Sequence, residues 1–132
     1  MKATPTLLDI WFCDDVREEK SGRYSLMGLY PSRVVNLQQL PTMLNQFNII
    51  MRFDGIQADS GLLGVKIIAP DGQESRPIQG RELTPLTTSG EALFILCAAP
   101  LQISHEGKHV IKIKIGDNAN FQDYFNVVKT SK

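Results

Sequence analysis

Ile111-Lys112-Ile113-Lys114-Ile115-Gly116-Asp117-Asn118, running on to Phe121, Asp123, Phe125 and Val127, decides the fold class of this chain. Side chains of an extended strand alternate between two faces, so the three isoleucines share one side and the two lysines the other. Gly116-Asp117-Asn118 supplies turn-forming backbone, and the run that follows repeats the alternation in reverse. The pair predicts a β-hairpin with one buried face.

The same period recurs outward from that hairpin. Phe47, Ile49, Met51 and Phe53 fall on one face, with Asn48 and Arg52 on the other. Leu63, Val65 and Ile67 stand opposite Lys66, and Pro70-Asp71-Gly72 then turns the chain into a return strand over residues 73–78. Residues 7–12 and 93–99 are apolar on both faces, which predicts central strands covered on each side. Glu19-Lys20-Ser21-Gly22 separates the first of these from residues 24–30, giving a further hairpin. Helical periodicity is almost absent; residues 37–46, with Pro41, suit a single helical turn or a bare loop. Residues 81–90 read as an exposed loop. About eight strands at intervals of roughly 10 residues predict one all-β domain over residues 1–132, an antiparallel two-sheet β-sandwich of immunoglobulin-like or C2-like architecture.

Composition agrees with a single globular domain. The chain has 132 residues, 42% of them hydrophobic. Size scaling allows about two thirds of its surface to be buried, enough for a core without staples. Lys+Arg 14 balance Asp+Glu 14, which argues against blanket attraction to nucleic acid or anionic membrane. The apolar run at Leu7–Cys13 is interrupted by Asp9 and ended by Asp14 and Asp15, so it reads as a strand and not a signal peptide. No run reaches the roughly 20 apolar residues of a membrane helix. A cytoplasmic location is expected, with Cys13 and Cys97 as reduced structural thiols and a bridge between them as the alternative.

Nothing in the sequence forms a catalytic signature. There is no G-x-S-x-G elbow, no H-E-x-x-H and no phosphate-cradling glycine loop. His105 and His109 flank Glu106-Gly107-Lys108 and are expected in a solvated turn, with a metal site at His105, Glu106 and His109 as the weaker alternative. Asp14, Asp15, Glu18 and Glu19 could gather a hard cation, but Arg17 and Lys20 stand among them and offset that field. Lys108, Lys112 and Lys114 share one strand face as a basic stripe that lacks the interleaved aromatics of a single-strand binder. Trp11, Tyr24 and Tyr30 could anchor a partner if exposed, although Trp11 is expected in the core.

The segment Leu8-Asp9-Ile10-Trp11-Phe12-Cys13-Asp14-Asp15-Val16-Arg17-Glu18-Glu19, with Gly22-Arg23-Tyr24-Ser25-Leu26-Met27-Gly28-Leu29-Tyr30 and Leu40-Pro41, resembles a family of small bacterial proteins grouped as a domain of unknown function. The resemblance implies a bacterial or phage origin and an all-β domain, and transfers no functional residue. Either Asp14 or Asp15 is placed to accept paired hydrogen bonds from an arginine such as Arg17, as a structural clamp.

These readings converge on a non-catalytic protein-binding or assembly module, with no cofactor, no membrane partner and nucleic acid disfavoured. The candidate interaction surface comprises Asp14, Asp15, Arg17, Glu18, Tyr24 and Tyr30, at a strand end and hairpin tip held by a rigid sheet. A small-molecule or ion-binding domain using surface loops is the alternative.

Overall fold

A computed structural model describes residues 5–56, 63–79, 91–116 and 119–130. In chain order these form β1 (Thr6–Glu18), β2 (Tyr24–Leu29), a 3-10 turn (Pro31–Arg33), β3 (Val34–Leu37), β4 (Thr42–Leu44), β5 (Asn48–Asp54), β6 (Leu63–Ile68), β7 (Ile78–Gln79), β8 (Ala92–Cys97), β9 (Leu101–Ile103), β10 (Gly107–Ile115) and β11 (Ala119–Lys129). No α-helix occurs among the described residues. The sequence count of about eight strands was therefore too low, because short strands such as β4 and β7 fall below the length at which alternation can be seen.

Three sheets result. The first has the order β2-β1-β5-β8, the second β3-β11-β10-β6-β7, and β4 pairs with β9 in a small third sheet. Pairing is antiparallel except that β3 runs parallel to β11. The C-terminal hairpin is as expected, with Ile111 opposite Asp123 and Ile113 opposite Phe121. The hairpin between β1 and β2 is present too, its tip carrying Gly22 at φ +79, a left-handed conformation that glycine adopts without a Cβ penalty. The return from Pro70-Asp71-Gly72 is shorter than expected: one bridge joins Ile68 to Glu74, and β7 has two residues. Residues 37–46 hold no helical turn, since β3 ends at Leu37 and β4 begins at Thr42; the 3-10 turn lies earlier, at Pro31. The loop expected at residues 81–90 lies outside the described residues.

The first and second sheets meet face to face. Phe12 from β1 and Phe47 lie 5.5 and 5.3 Å, centroid to centroid, from Phe125 of β11, and Phe53 of β5 lies 5.3 Å from Phe121. Ile49, Met51, Phe94, Leu96, Val65, Ile67, Ile111 and Ile113 complete this core. Each such side chain contributes about 1.5–3 kcal/mol on leaving water.

Neither strand expected to be covered on both faces is so covered. β1 is interior to its sheet, yet Trp11 is 48% exposed. β8 is an edge strand. Their apolar outer residues form a surface of the sheet and not a second core layer.

Candidate functional site

The outer face of the first sheet follows directly from its register. Trp11 is opposite Ile50, and Ile50 opposite Ile95; Cys13 is opposite Asn48, and Asn48 opposite Cys97. Antiparallel partners point to the same side, so these residues share the face turned away from the core. Ile50 and Cys13 are buried but lie outside the core cluster. Strand β2 extends the face, because Leu29 is opposite Cys13 and Met27 opposite Asp15. Trp11, Leu29 and Met27 are 48%, 43% and 36% exposed. Beyond Trp11 the apolar area ends at an ion-pair group in which Arg52 binds Asp9 at 2.6 Å and Glu91 at 2.9 Å.

The residues of the expected interaction surface divide between the two faces of β1. Asp14 turns inward, where its Oδ1 accepts a 2.6 Å hydrogen bond from the Tyr30 hydroxyl. Burial, together with that carboxylate, pushes the Tyr30 phenol above its ordinary value. Asp15 accepts from the Val16 N–H at 2.9 Å and stands 3.8 Å from Arg17 in an exposed pair. Glu18 is opposite Tyr24 at the open end of the hairpin. Among the described residues no arginine clamps either aspartate by paired hydrogen bonds; tyrosine holds Asp14. The paired arginine contact lies elsewhere, where Arg33 donates from Nε to Asp123 Oδ1 at 2.8 Å and from Nη2 to Oδ2 at 3.2 Å. That bond raises the Arg33 pKa. Its partners are 90 residues apart, so sequence spacing gave no signal of it.

Arg33 and Asp123 stand beside an open cleft of about 380 Å³, lined also by Leu7, Leu8, Ile10 and Phe121. Ser32 and Arg33, which shape its corner, both have φ +59, uncommon for residues with a Cβ. Leu8 sits at a register shift between Leu7 and Asp9 in the β1–β5 ladder.

On the second sheet Lys108, Lys112 and Lys114 are exposed while their neighbours point inward, so the basic stripe is real. It does not lack an aromatic: Tyr124, opposite Val110, shares this face, and the Lys108 ammonium stands 4.7 Å from its ring centroid. The cross-strand position of the tyrosine could not be read without the register. His109 is not in a solvated turn. It is 2% exposed, stacks on Phe125 at 5.0 Å, and has its Nδ1 3.1 Å from the Gly107 carbonyl oxygen. Burial pushes its pKa below the ordinary value. His105 instead pairs with Asp71 at 3.3 Å on the surface. Among the described residues no three His, Cys, Asp or Glu side chains are grouped so as to hold a metal ion.

Both cysteines are free. Asn48 lies between them in the register, so their backbones are separated by two strand spacings, about 10 Å, beyond the reach of a disulfide. No helix is long and apolar enough to cross a membrane among the described residues.

No curated protein matches the chain. A family model does, over residues 8–127, which include every element described except the ends of β1 and β11. The match spans nearly the whole sequence, and the chain belongs to the family of unknown function DUF6941.

Proposed function

We propose that this chain is a non-catalytic protein-binding or assembly module of bacterial or phage origin, working in the cytoplasm, with an immunoglobulin-like or C2-like sandwich as its scaffold. The observation that carries the reading is the run of exposed apolar side chains, Trp11, Leu29 and Met27, across two adjacent strands of one sheet. Apolar area grouped on a rigid face, with a tryptophan on it, is the usual composition of a contact surface. Tyr24 and Leu26, on the same edge strand, are also exposed, but alternation turns them to the opposite face, so they lie outside this surface.

Assembly with a second copy is the form tested first. Sedimentation velocity of the purified protein is expected to give a defined multimer that Trp11→Ser converts to monomer with an unchanged far-ultraviolet spectrum. A monomer at every concentration, or a multimer indifferent to Trp11→Ser, would overturn assembly through this face. The small-molecule or ion alternative has less support, because Asp14 and Asp15 turn to opposite faces of β1. It predicts a rise in thermal stability with divalent ions or ligands, about 2.7 kcal/mol at 100-fold over the dissociation constant.

A further inference from the structure

We propose that the cleft between β1 and β11 receives an extended segment of another polypeptide. This segment pairs with the open edge of β1 at Ile10 and places a carboxylate against Arg33. The proposal is independent of the Trp11 face.

The edge arises where β2 abandons β1. The Tyr30 N–H donates to the Phe12 carbonyl oxygen at 2.9 Å, the last backbone bond along that side of β1 among the described residues. Strand alternation turns the Ile10 N–H and C=O in the same direction as those of Phe12, so both face into the opening. The chain itself cannot continue the pairing. Pro31 has no N–H to donate, and the left-handed Ser32 and Arg33 redirect the backbone to β3, which joins β11 in the other sheet. Among the described residues none continues the line of β2 beside β1 over the half strand from Thr6 to Trp11.

On the opposite wall one backbone donor is already used. β3 covers β11 only from Asn126 onward, but upstream of it the Tyr124 N–H is already taken by Asp123 Oδ1 at 2.8 Å. On β1 the ladder with β2 ends at Cys13 and Leu29, and Ile10 has no backbone partner on that side among the described residues, which makes β1 the edge for an added strand. Unmet backbone donors and acceptors select a polypeptide, because an added strand supplies both at the required spacing. Its alternate side chains would meet Leu7, Ile10 and Phe121.

Charge completes the specification. Arg33 spends Nε and Nη2 on Asp123, and its Nη1 makes no hydrogen bond among the described residues. Arg52 shows that one guanidinium here can hold two carboxylates, Asp9 and Glu91. An acidic side chain on the incoming strand would give Arg33 the same arrangement.

The test uses the full-length ¹⁵N-labelled chain and a synthetic seven-residue peptide of alternating valine and threonine with an aspartate at each end. Saturable amide shifts are expected at Leu8 and Ile10, with hydrogen exchange at Ile10 slowed. A twin peptide N-methylated at alternate positions keeps the side chains but loses the backbone donors, and is expected not to bind. Arg33→Gln, with its spectrum otherwise unchanged, is expected to weaken the acidic peptide about tenfold, one charge-assisted contact, and to leave an asparagine-ended peptide unaffected. Absence of saturable shifts at millimolar peptide, shifts confined to residues 24–29, or equal binding of the N-methylated twin would each overturn the proposal. None of these results depends on the oligomeric state or on Trp11.

Discussion

The Tyr30 hydroxyl holds the Asp14 carboxylate, 16 residues earlier in the chain, in the space a side chain at position 28 would occupy. A Cβ at Gly28 would lie 2.6 Å from Asp14 Oδ2, and Gly28 itself has φ +69. The glycine, the acid and the phenol thus form one unit joining β2 to the end of the core, where the Tyr30 ring lies 5.8 Å from Phe47. Gly28→Ala combines backbone strain with a close contact and is expected to destabilise the domain by about 1–3 kcal/mol in denaturant unfolding. Gly22→Ala provides the comparison: it also has positive φ but open space around it, and is expected to cost less.

Tyr30→Phe removes the donor and leaves the ring. Loss of a hydrogen bond to a charged acceptor is expected to cost about 1.5–3 kcal/mol at neutral pH. The folded phenol titrates above its ordinary value of 10.0, so the unfolded chain loses its proton first. The contribution is complete below pH 10 and declines as pH rises above it. Unfolding followed from pH 8 to 11 should show the wild-type advantage over Tyr30→Phe shrinking at the alkaline end. A constant difference would mean that the hydroxyl does not titrate as a bound donor.

His109 produces the opposite dependence. Burial lowers its pKa from 6.5, reinforced by His105 and opposed by the Gly107 carbonyl and Asp71. Below pH 6.5 the unfolded chain binds a proton that the folded core does not accept. Stability is therefore intact above pH 6.5 and is lost on acidification, by at most about 1.4 kcal/mol per pH unit until the folded imidazole also protonates. His109→Phe preserves stacking on Phe125 and removes the titration. Its melting temperature is expected to gain on the wild type between pH 6.5 and 5; parallel profiles would contradict this account.

Much of the architecture is legible in the sequence wherever one face of a strand is polar. Lys112 and Lys114 report the orientation of β10, and Asn48 and Arg52 that of β5. The signal fails where both faces are apolar. Trp11 and Ile95 read as interior, but two facing sheets need only one buried side from each, and their shared core is filled by Ile10, Ile49, Met51 and Phe94. The parallel pairing of β3 with β11 and the Arg33–Asp123 contact join distant segments, and no local period encodes either. Asp14 was recognised as a clamp residue, with the wrong partner, because an arginine nearby in sequence lies on the other side of an alternating strand.

The two thiols should separate cleanly. Cys97 is exposed, whereas burial, aided by Asp14 and Asp15, raises the Cys13 pKa. A maleimide at neutral pH is expected to label one thiol on the folded protein and both in denaturant, with Cys97→Ser abolishing the native reaction. Rapid native labelling of Cys13 would mean that β2 opens readily from β1.

Lys112 lies opposite Lys66 in the ladder between β10 and β6. Like charges facing across antiparallel strands repel, and Glu74 approaches Lys66 only to 4.0 Å on an exposed surface. Lys112→Glu replaces that repulsion by attraction without disturbing the buried Ile111 and Ile113 on either side. It is expected to stabilise the domain by about 0.2–1 kcal/mol at low ionic strength. Salt should erase the gain, since the charges are solvated and screening acts over about 10 Å at 0.1 M. A loss of stability at low salt would mean that the lysine's aliphatic stem, and not its charge, is what this face requires.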